Sequence, residues 1–330
     1  MTSLKEIIEN FKGIRVMVIG DVMLDHYIYG RVSRISPEAP VPVVEVTHEK
    51  FNPGGAANVA GNISCMGGSP ILVGVVGTDN YSEKFIELIK KIGIDTSGIV
   101  RDVERPTTVK TRVVAEHQQV VRIDNENTSL INKYIKNSIM EIIKENIKSV
   151  QAIIFEDYDK GTIDNELIEF VVNLAKDYGK IVTSDPKYRN LKHYKGITLV
   201  KPNRKEAEWA LKEKLTEENL EKLGKKLRQE LGCDALLITL GKDGMALFTE
   251  DEFERIRNRP VEVYDVAGAG DTAIAAVTLA LASGADFAVA AHIANIAAGI
   301  KVGKPGAVPV TYGELIQVVT KIVDDSKGNL

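Results

Sequence analysis

The residues best suited to chemistry lie in the segment 265–272, which reads DVAGAGDT. Small apolar residues follow and predict a helix that continues through Ser283. Glycines allow consecutive backbone N–H groups to turn toward one point, and a helix N-terminus adds partial positive charge, so the segment predicts an anion hole. Beside it Asp271 could accept a proton from an attacking hydroxyl, which suits phosphoryl transfer. The alternative is that Asp271 merely caps the helix. The anion-hole candidates are Gly268, Ala269 and Gly270.

A second candidate segment, residues 52–62, reads NPGGAANVAGN. The glycine pair Gly54 and Gly55 would let a ligand approach the backbone closely. Asn58, about one turn into the predicted helix, can donate to and accept from sugar hydroxyls. The alternative is tight packing of a helix rich in glycine and alanine.

Two further segments are candidates for contact with a nucleotide. Asn203 follows an apolar strand and precedes Glu206 by three residues, a spacing that also defines a helix capping box. The segment 239–244, TLGKDG, has the glycine spacing of a nucleotide-contacting loop or of a plain turn. Neither segment is a P-loop, because GxxxxGK[ST] does not occur in the chain.

Two carboxylates, Asp21 and Asp25, follow the first predicted strand. Ligands of open α/β sheets bind beyond the carboxyl ends of the strands, so these side chains could hold the hydroxyls of a polyol. The alternative is that they are solvated acids of a surface loop.

The elements that must position these residues are predicted from hydrophobic periodicity. Apolar residues recur at helical spacing between Ile163 and Tyr178, and similar helical patterns separate the predicted strands. Strands that alternate with helices favour a mostly parallel sheet covered on both faces. The predicted strands are 15–19, 70–76, 152–155, 180–183, 197–200 and 235–239.

Two stretches of alternating polarity interrupt this pattern. The first pairs Tyr27–Val32 with Pro42–His48, and the second pairs Thr107–Glu116 with Val120–Asp124 across a turn that contains His117. Both stretches predict hairpins. Because they break the alternation of strands and helices, we expect them to form a small sheet that projects from the main body.

Composition excludes several classes of function. The 330 residues include 42 Lys and Arg against 46 Asp and Glu, a net charge of −4, which argues against a nucleic-acid partner. Cys65 and Cys233 are too few for a disulfide framework and favour the cytoplasm. The longest apolar stretch, residues 273–282, is about half of the ~20 residues that a membrane span needs, so no membrane association is expected.

Four motifs in chain order, GD…D, GGAAN, PNxxE and DxxGAGD, resemble the ribokinase-like (PfkB) family of small-molecule kinases. The resemblance covers nearly the whole chain. It implies one kinase domain over residues 1–330, with an α/β fold in which helices cover both faces of a mostly parallel sheet. It also implies a small β lid formed by strands within about 26–48 and 107–124, which in relatives often supports a homodimer.

The resemblance implies roles for individual residues. Asp271 would be the catalytic base beside the anion hole, and Glu206 would be oriented toward Mg²⁺ bound to the phosphates of ATP. Asp265, with the loop 302–306, matches a region that in many relatives holds a monovalent cation such as K⁺. The implied nucleotide-binding residues are Asn203, Arg204, Lys205, Glu206, Thr239, Gly241, Gly244 and Asn295, and the implied sugar-binding residues are Asp25, Gly54, Gly55 and Asn58.

Within the family, the segments 29–44, 118–119 with 122–124, 157–161, 185–187 and 302–304 are similar to members that act on a heptose 7-phosphate. This implies ATP-dependent phosphorylation of the C1 hydroxyl to the 1,7-bisphosphate, a step toward ADP-heptose for lipopolysaccharide. The phosphate of the sugar requires cationic partners. The candidates are Arg34, Arg112, Arg122 and Lys187, each of which could instead be a solvated surface charge.

Two departures from the family pattern narrow the expected activity. The HxGH signature of an adenylyltransferase is absent, so we expect the kinase step alone, and Met23 replaces an Asn found in many sugar kinases, which argues against ribose. The alternative enzyme is a kinase for fructose 6-phosphate or 2-keto-3-deoxygluconate. A non-catalytic binding protein for sugar or nucleotide is the alternative from another class.

Overall fold

The computed structural model describes residues 4–116, 118–259, 262–304, 306 and 308–327. His117 in the expected hairpin turn and Pro305 in the expected cation loop lie outside the described residues. The strands are β1 (Arg15–Gly20), β2 (Val22–Ile35), β3 (Pro42–Gly55), β4 (Ser69–Val76), β5 (Ile99–Arg101), β6 (Val109–Ala115), β7 (Gln118–Asn125), β8 (Ala152–Glu156), β9 (Ile181–Asp185), β10 (Leu199–Val200), β11 (Ala235–Thr239), β12 (Met245–Phe248) and β13 (Phe253–Ile256). The α-helices are α1 (Leu4–Glu9), α2 (Ala56–Cys65), α3 (Asn80–Lys91), α4 (Lys133–Asn146), α5 (Asn165–Asp177), α6 (Arg204–Leu211), α7 (Leu220–Leu231), α8 (Ala269–Ala282), α9 (Phe287–Val302) and α10 (Tyr312–Lys327).

The main sheet has nine strands in the order β13-β12-β11-β10-β9-β8-β1-β4-β5. The pairs from β5 through β11 are parallel, whereas β12 and β13 continue the sheet in antiparallel fashion. The prediction of a mostly parallel sheet is confirmed. The antiparallel edge was not predicted, because β12 and β13 are four residues each and only a short 3-10 turn, Gly241–Asp243, separates β12 from β11.

Helices cover both faces of this sheet, as predicted. One apolar core packs α2, α8, α9 and α10 against one face, and a second core packs α4, α5, α6 and α7 against the other. Helix α8 is buried from Asp271 to Leu281, which explains its small side chains, because a helix enclosed on all sides must pack closely. Among the described helices, none has both the length and the apolar character needed to cross a membrane.

A separate sheet of four strands, in the order β3-β2-β6-β7, forms the lid. The two predicted hairpins are present, and a parallel pairing of β2 with β6 joins them. The strands are longer than predicted, because β2 begins only two residues after β1 ends and β3 runs directly into α2. The lid therefore begins at the carboxyl end of the central strand β1, and ligands of α/β sheets bind at such strand ends.

Candidate active site

Asp271 lies in the first turn of α8 and is buried, yet its carboxylate does not cap that helix. The residue that precedes α8 is Gly268, in a left-handed conformation with φ 78°, and it offers no side chain to cap this end of the helix. Asp271 instead accepts hydrogen bonds from Asn58 Nδ2 at 2.5 Å and from the hydroxyl of Tyr158 at 2.9 Å. The capping alternative is therefore wrong, and the carboxylate is held away from its own helix.

The predicted anion hole adjoins this carboxylate. Gly268 adopts a backbone conformation that L side chains rarely reach, so the first N–H groups of α8 can face a common point. At Gly270 a Cβ atom would lie 3.6 Å from Lys201 Nζ and 3.7 Å from Asp185 Oδ2. The glycine thus leaves open the space between the helix N-terminus and a buried ion pair. Ala269 is the first residue of the helix.

Three buried carboxylates meet beside Lys201. Single oxygens of Glu156, Asp185 and Asp271 lie within 4.8 Å of one another, and Lys201 Nζ pairs with Asp185 at 2.7 Å. Burial, followed by the charge of Asp185, holds the pKa of Glu156 well above its ordinary value. Burial also raises the pKa of Asp271, against the opposing effect of its hydrogen bond from Asn58. A protonated carboxyl or a bound cation would relieve this concentration of charge.

This donor set fits a hard divalent cation such as Mg²⁺. Carboxylate oxygens are the ligands such ions prefer, and Glu156 Oε2 is buried without a hydrogen-bond partner among the described residues. Glu156 and Asp185 were not among the predicted site residues. Each ends a parallel strand, β8 or β9, on the same side of β1, so the rule that ligands bind at carboxyl ends of strands could have identified them.

The capping box expected at Asn203 is present. The Asn203 side chain accepts from the Glu206 N–H at 3.0 Å, and Glu206 Oε2 accepts from the Asn203 N–H at 2.7 Å. The other oxygen of Glu206 accepts from Lys187 Nζ at 2.8 Å. Both oxygens of Glu206 thus hold hydrogen bonds within the protein, which favours an indirect contact with a metal ion over direct ligation. Arg204 pairs with Asp243 at 2.7 Å, whereas the side chain of Lys205 is exposed.

The segment 239–244 lies beside this capping box. Thr239 forms a parallel bridge with Asn203, and Gly241 and Gly244 flank a turn that leads into β12. Asn258 Nδ2 donates to the carbonyl of Gly241 at 2.9 Å and so ties this turn to the loop that follows β13. The predicted nucleotide residues on β11, α6 and this turn therefore lie near the carboxyl ends of the neighbouring strands β10 and β11.

A cavity of about 690 Å³ opens next to the turn. Its walls include Ile256, Ile296 and Ile300, and Asn295 lines it while donating to the carbonyl of Arg257 at 3.1 Å. Apolar walls with a few polar groups are typical of sites that take a flat organic ring. Asn295, predicted from the resemblance alone, thus lines a cavity in which the base of a nucleotide could bind.

The residues predicted to hold the sugar occupy the base of the lid. Asp25 accepts from Arg112 Nη1 at 2.5 Å, and a Cβ at Gly54 would lie 2.7 Å from Asp25 Oδ2. Gly55 has φ 59°, and a Cβ there would lie 2.2 Å from the carbonyl of Asp21. Close backbone approach between β2 and β3 therefore already requires the glycine pair. Asn58, which was predicted to bind the sugar, donates a hydrogen bond directly to Asp271.

The four cationic candidates differ in what their side chains contact. Arg112 and Lys187 contact other site residues, Asp25 and Glu206. Arg122 pairs with Asp124 at 2.9 Å but lies directly opposite Arg112 in the lid ladder. Arg34 does not join the site: its side chain is 63% exposed near the tip of the lid, where it pairs with Glu45.

Asp21 differs from its expected role. Its side chain is 1% exposed and accepts the backbone N–H groups of Tyr158, Lys160 and Thr162 at 2.9–3.1 Å. Its lone pairs are therefore used to hold the loop that follows β8, and it is not available to a sugar hydroxyl. Of the two carboxylates, only Asp25 lies on a strand of the lid.

Asp265 and the loop after α9 were expected to hold a monovalent cation. Asp265 Oδ1 accepts from the Ala267 N–H at 2.9 Å, and Lys301 Nζ donates to the carbonyl of Gly306 at 3.0 Å. Burial lowers the pKa of Lys301, and the negative charge of Asp265 opposes that shift. A positive side chain therefore already lies in this region.

The combination of fold and site defines a class of protein. A buried carboxylate beside a helix N-terminus, at the carboxyl end of a central parallel strand and under a β lid, is the arrangement of a kinase that transfers phosphate to a small hydroxyl compound. The solved structures that share the fold include phosphofructokinase-2 from Escherichia coli in complex with potassium, with a TM-score of 0.78 at 19% identity over 94% of this chain and 99% of that one. Ribokinase from Arabidopsis thaliana, solved with ribose and ATP, gives 0.72 at 19% identity over 93% and 99%.

The chain belongs to the pfkB family of carbohydrate kinases, whose model matches residues 14–311. Curated relatives named "Bifunctional protein HldE" are 42% identical in Helicobacter hepaticus, over 93% of this chain, and 41% identical in Desulfatibacillum aliphaticivorans, over 92%. The chain spans less than two thirds of their lengths, 64% and 63%. The predicted family and fold class are confirmed, and the family is one of carbohydrate kinases, in agreement with the predicted enzyme class.

Proposed function

We propose that this protein uses ATP to phosphorylate the C1 hydroxyl of D-glycero-D-manno-heptose 7-phosphate, giving the 1,7-bisphosphate. The observation that supports the proposal is the buried carboxylate of Asp271, which lies in the first turn of α8 and is held by hydrogen bonds from Asn58 and Tyr158. The identity of about 40% to relatives named HldE supports this substrate over fructose 6-phosphate or 2-keto-3-deoxygluconate. A buried base next to an anion hole argues against a non-catalytic binding protein.

In the proposed reaction the C1 hydroxyl attacks the γ-phosphorus of ATP. The new oxygen–phosphorus bond forms as the bond to the β–γ bridging oxygen breaks, ADP leaves, and the hydroxyl proton passes to Asp271. The N–H groups of residues 268–270 stabilise charge on the transferred phosphoryl group. Mg²⁺ bound with the nucleotide would neutralise phosphate charge, and Glu156 and Asp185 are the residues that would hold it. Lys201 keeps part of the buried negative charge balanced.

The lid ladder supports a site for the phosphate on the sugar. Lys50, Tyr27, Arg112 and Arg122 lie opposite one another across the four strands. Because Tyr27 is two residues from Asp25, this row shares the face of the lid that carries Asp25. Three cations in one row can hold a dianion whose sugar hydroxyls reach Asp25.

A comparison of two arginines tests this assignment. Arg122→Ala should raise KM for the sugar phosphate about tenfold and leave KM for ATP unchanged, because a charge-assisted hydrogen bond is lost. Arg34→Ala, which breaks the pair with Glu45 at the lid tip, is the matched control and should leave both KM values unchanged. The reverse pattern would place the phosphate at the tip.

The proposed activity is tested with a panel of sugars and sugar phosphates in the presence of ATP and Mg²⁺, with products identified by phosphorus NMR. A C1 phosphate on heptose 7-phosphate is the expected product. Turnover of fructose 6-phosphate or 2-keto-3-deoxygluconate in its place would reject the proposed substrate. Asp271→Asn should lower kcat about 10²–10⁴-fold, as expected for loss of a general base.

The lid also supports the proposed homodimer. Apolar side chains that a monomer would leave in water are exposed on it, namely Ile35, Val41, Val46, Val121 and Ile123. Light scattering coupled to size-exclusion chromatography should show a dimer, and Val121→Asp with Ile123→Asp should convert it to a monomer. A wild-type monomer would refute a dimer through this surface.

The monovalent cation and the cytoplasmic location remain predictions. Replacing K⁺ by tetramethylammonium in the assay tests the cation directly. Loss of turnover would support K⁺ near Asp265, whereas unchanged turnover would leave Lys301 as the positive charge of that region.

A further inference from the structure

The loop that follows β8, residues 157–162, carries a hydrogen-bond donor to Asp271 that was not among the predicted site residues. Tyr158 donates its hydroxyl hydrogen to Asp271 Oδ1 at 2.9 Å, and Asn58 donates to Oδ2 at 2.5 Å. These two donors come from distant parts of the sequence, 113 and 213 residues before Asp271. Each carboxylate oxygen therefore has one defined hydrogen-bond donor.

The backbone of Tyr158 is held by a hydrogen bond to a buried carboxylate. The carboxylate of Asp21 accepts the N–H groups of Tyr158, Lys160 and Thr162, so one buried side chain organises the whole turn. Three backbone donors on one carboxylate make a rigid support, because losing any one of them would leave a buried polar group unpaired. The conformation of the loop is thus set by the residue that directly follows β1.

The neighbouring Asp157 adds a second anchor. Its carboxylate accepts from the Asp159 N–H and Asn190 Nδ2, both at 2.9 Å, and from the Tyr194 hydroxyl at 3.1 Å. The Tyr158 side chain projects from a loop with little freedom to move.

The phenol of Tyr158 is kept in the state that donates. A tyrosine hydroxyl has an ordinary pKa of about 10 and keeps its proton at physiological pH, so it serves as the donor to the Asp271 carboxylate. Lys187 Nζ lies 5.2 Å from the centre of the ring and packs against its face. The ring is therefore held both at its edge and on its face.

We propose that Tyr158 is a positioning residue that fixes the plane of the Asp271 carboxylate so that a free lone pair points at the attacking hydroxyl. The inference rests on the proposed role of Asp271 as base. A carboxylate oxygen has two lone-pair directions, and one on each oxygen is taken by Tyr158 or Asn58. Without the phenol the carboxylate can rotate about its broad terminal torsion, so fewer molecules have the base aligned for proton transfer.

Tyr158→Phe tests the inference, with Tyr194→Phe as the matched control. Both changes remove one buried phenol hydroxyl from a carboxylate, but Tyr194 contacts Asp157 and not Asp271. We expect Tyr158→Phe to lower kcat roughly 10–100-fold, the factor for a hydrogen bond to a charged group, with KM for ATP and sugar within about twofold. Tyr194→Phe should lower kcat far less than Tyr158→Phe does, because Asp157 keeps its hydrogen bonds from the Asp159 N–H and Asn190 Nδ2 and still anchors the loop.

Two outcomes would overturn the inference: an unchanged kcat in Tyr158→Phe, or an equal loss of kcat in both variants. A wild-type protein that phosphorylates no sugar would instead defeat the proposed function. In that case crystal structures of wild type and Tyr158→Phe decide the matter, because the inference requires the Asp271 carboxylate to rotate or become disordered when the phenol hydroxyl is absent. A carboxylate in the same orientation in both structures would refute it.

Discussion

Glu156 shows at the scale of one residue how strongly the site depends on balanced charge. It is buried at the end of β8, one of its oxygens lacks a hydrogen-bond partner among the described residues, and Asp185 and Asp271 place carboxylate oxygens within 4.8 Å of it. Uncompensated burial of a carboxylate costs free energy, so the free protein gains from neutralising this residue.

We therefore predict opposite effects of Glu156→Gln with and without Mg²⁺. In the absence of metal the variant should melt at the wild-type temperature or above it, because repulsion within the cluster is reduced. The increase in melting temperature caused by Mg²⁺ and ADP should shrink by several degrees, because one candidate ligand is lost. Differential scanning fluorimetry measures both quantities.

Glu126→Gln is the matched control for this experiment. Glu126 also has a buried oxygen without a hydrogen-bond partner in the described part of the chain, but it pairs with Lys160 outside the acidic cluster. Its substitution should leave the stabilisation by Mg²⁺ and ADP unchanged. An equal loss in both variants would mean that Glu156 has no particular role toward the metal.

Cys233 provides a pH-dependent prediction. Burial raises the pKa of this thiol to about 12, so at pH 8.5 its thiolate fraction is ~10³-fold below that of an unperturbed thiol. Alkylation by iodoacetamide, followed by mass spectrometry, should be at least ~10²-fold slower in the native protein than in guanidinium chloride.

The same shift predicts how stability depends on pH. As pH rises above about 9 the unfolded chain loses the proton of Cys233 while the folded chain keeps it, so the free energy of unfolding falls. Cys233→Ala should remove this part of the pH dependence in urea titrations. Equal alkylation rates in the native and denatured protein would contradict both predictions.

At the scale of elements, the start of α6 joins helix stability to the nucleotide edge. Asn203→Ala removes the acceptor for the Glu206 N–H and should cost about 1 kcal/mol of unfolding free energy. Glu206 then loses its fixed position beside Lys187, so KM for ATP should rise as well. Urea unfolding and steady-state kinetics measure the two effects.

The control is a cap of the same chemistry away from the site. Asn132 caps α4 by accepting from the Ile135 N–H at 3.0 Å. Asn132→Ala should cause a similar loss of stability without a change in KM for ATP. If both variants changed KM equally, the effect of Asn203 would be one of general stability.

Elements were predicted wherever one physical signal dominated. The strands β1, β4, β8 and β11 are continuous apolar runs and were found within a few residues. The lid strands alternate in polarity, so their pairing was found, but β2 and β3 extend well beyond the predicted bounds 27–32 and 42–48. The strands β12 and β13 were missed because four residues carry little periodicity and their pairing depends on a turn between them.

The site was predictable to the extent that its chemistry lies within short segments. The anion hole and Asp271 were found because glycines, a helix start and a carboxylate are contiguous in the sequence. Tyr158 and Glu156 were missed because their contacts with Asp271 arise only when separate strands assemble. Asp21 was misassigned because composition cannot show that backbone N–H groups take up its lone pairs.

At the scale of the whole molecule, we expect the lid to close toward the main sheet, because the proposed phosphoryl transfer requires that water be excluded from Asp271. We predict that the radius of gyration, measured by small-angle X-ray scattering, decreases when nucleotide and sugar phosphate are both bound. The expected cause is movement of the lid row of Lys50, Arg112 and Arg122 toward the sugar phosphate.

Nucleotide alone is the control for closure, because the proposed nucleotide residues lie away from the lid, and it should therefore cause a smaller change. Scattering curves that superimpose with and without both ligands would show that transfer occurs without large-scale closure. The same samples would report the oligomeric state expected from the lid surface.

The order of strands also has a consequence for synthesis. β1 pairs on one side with β4, which follows within about 50 residues, but on its other side with β8, residues 152–156. At translation rates of about 5–20 residues per second, the ribosome needs roughly 4–15 s to make the intervening residues 77–151. During that interval the nascent chain carries an apolar strand with one open edge, the feature from which aggregation starts. The central strand that later supports Asp21 and the lid thus remains open to aggregation until β8 has been made.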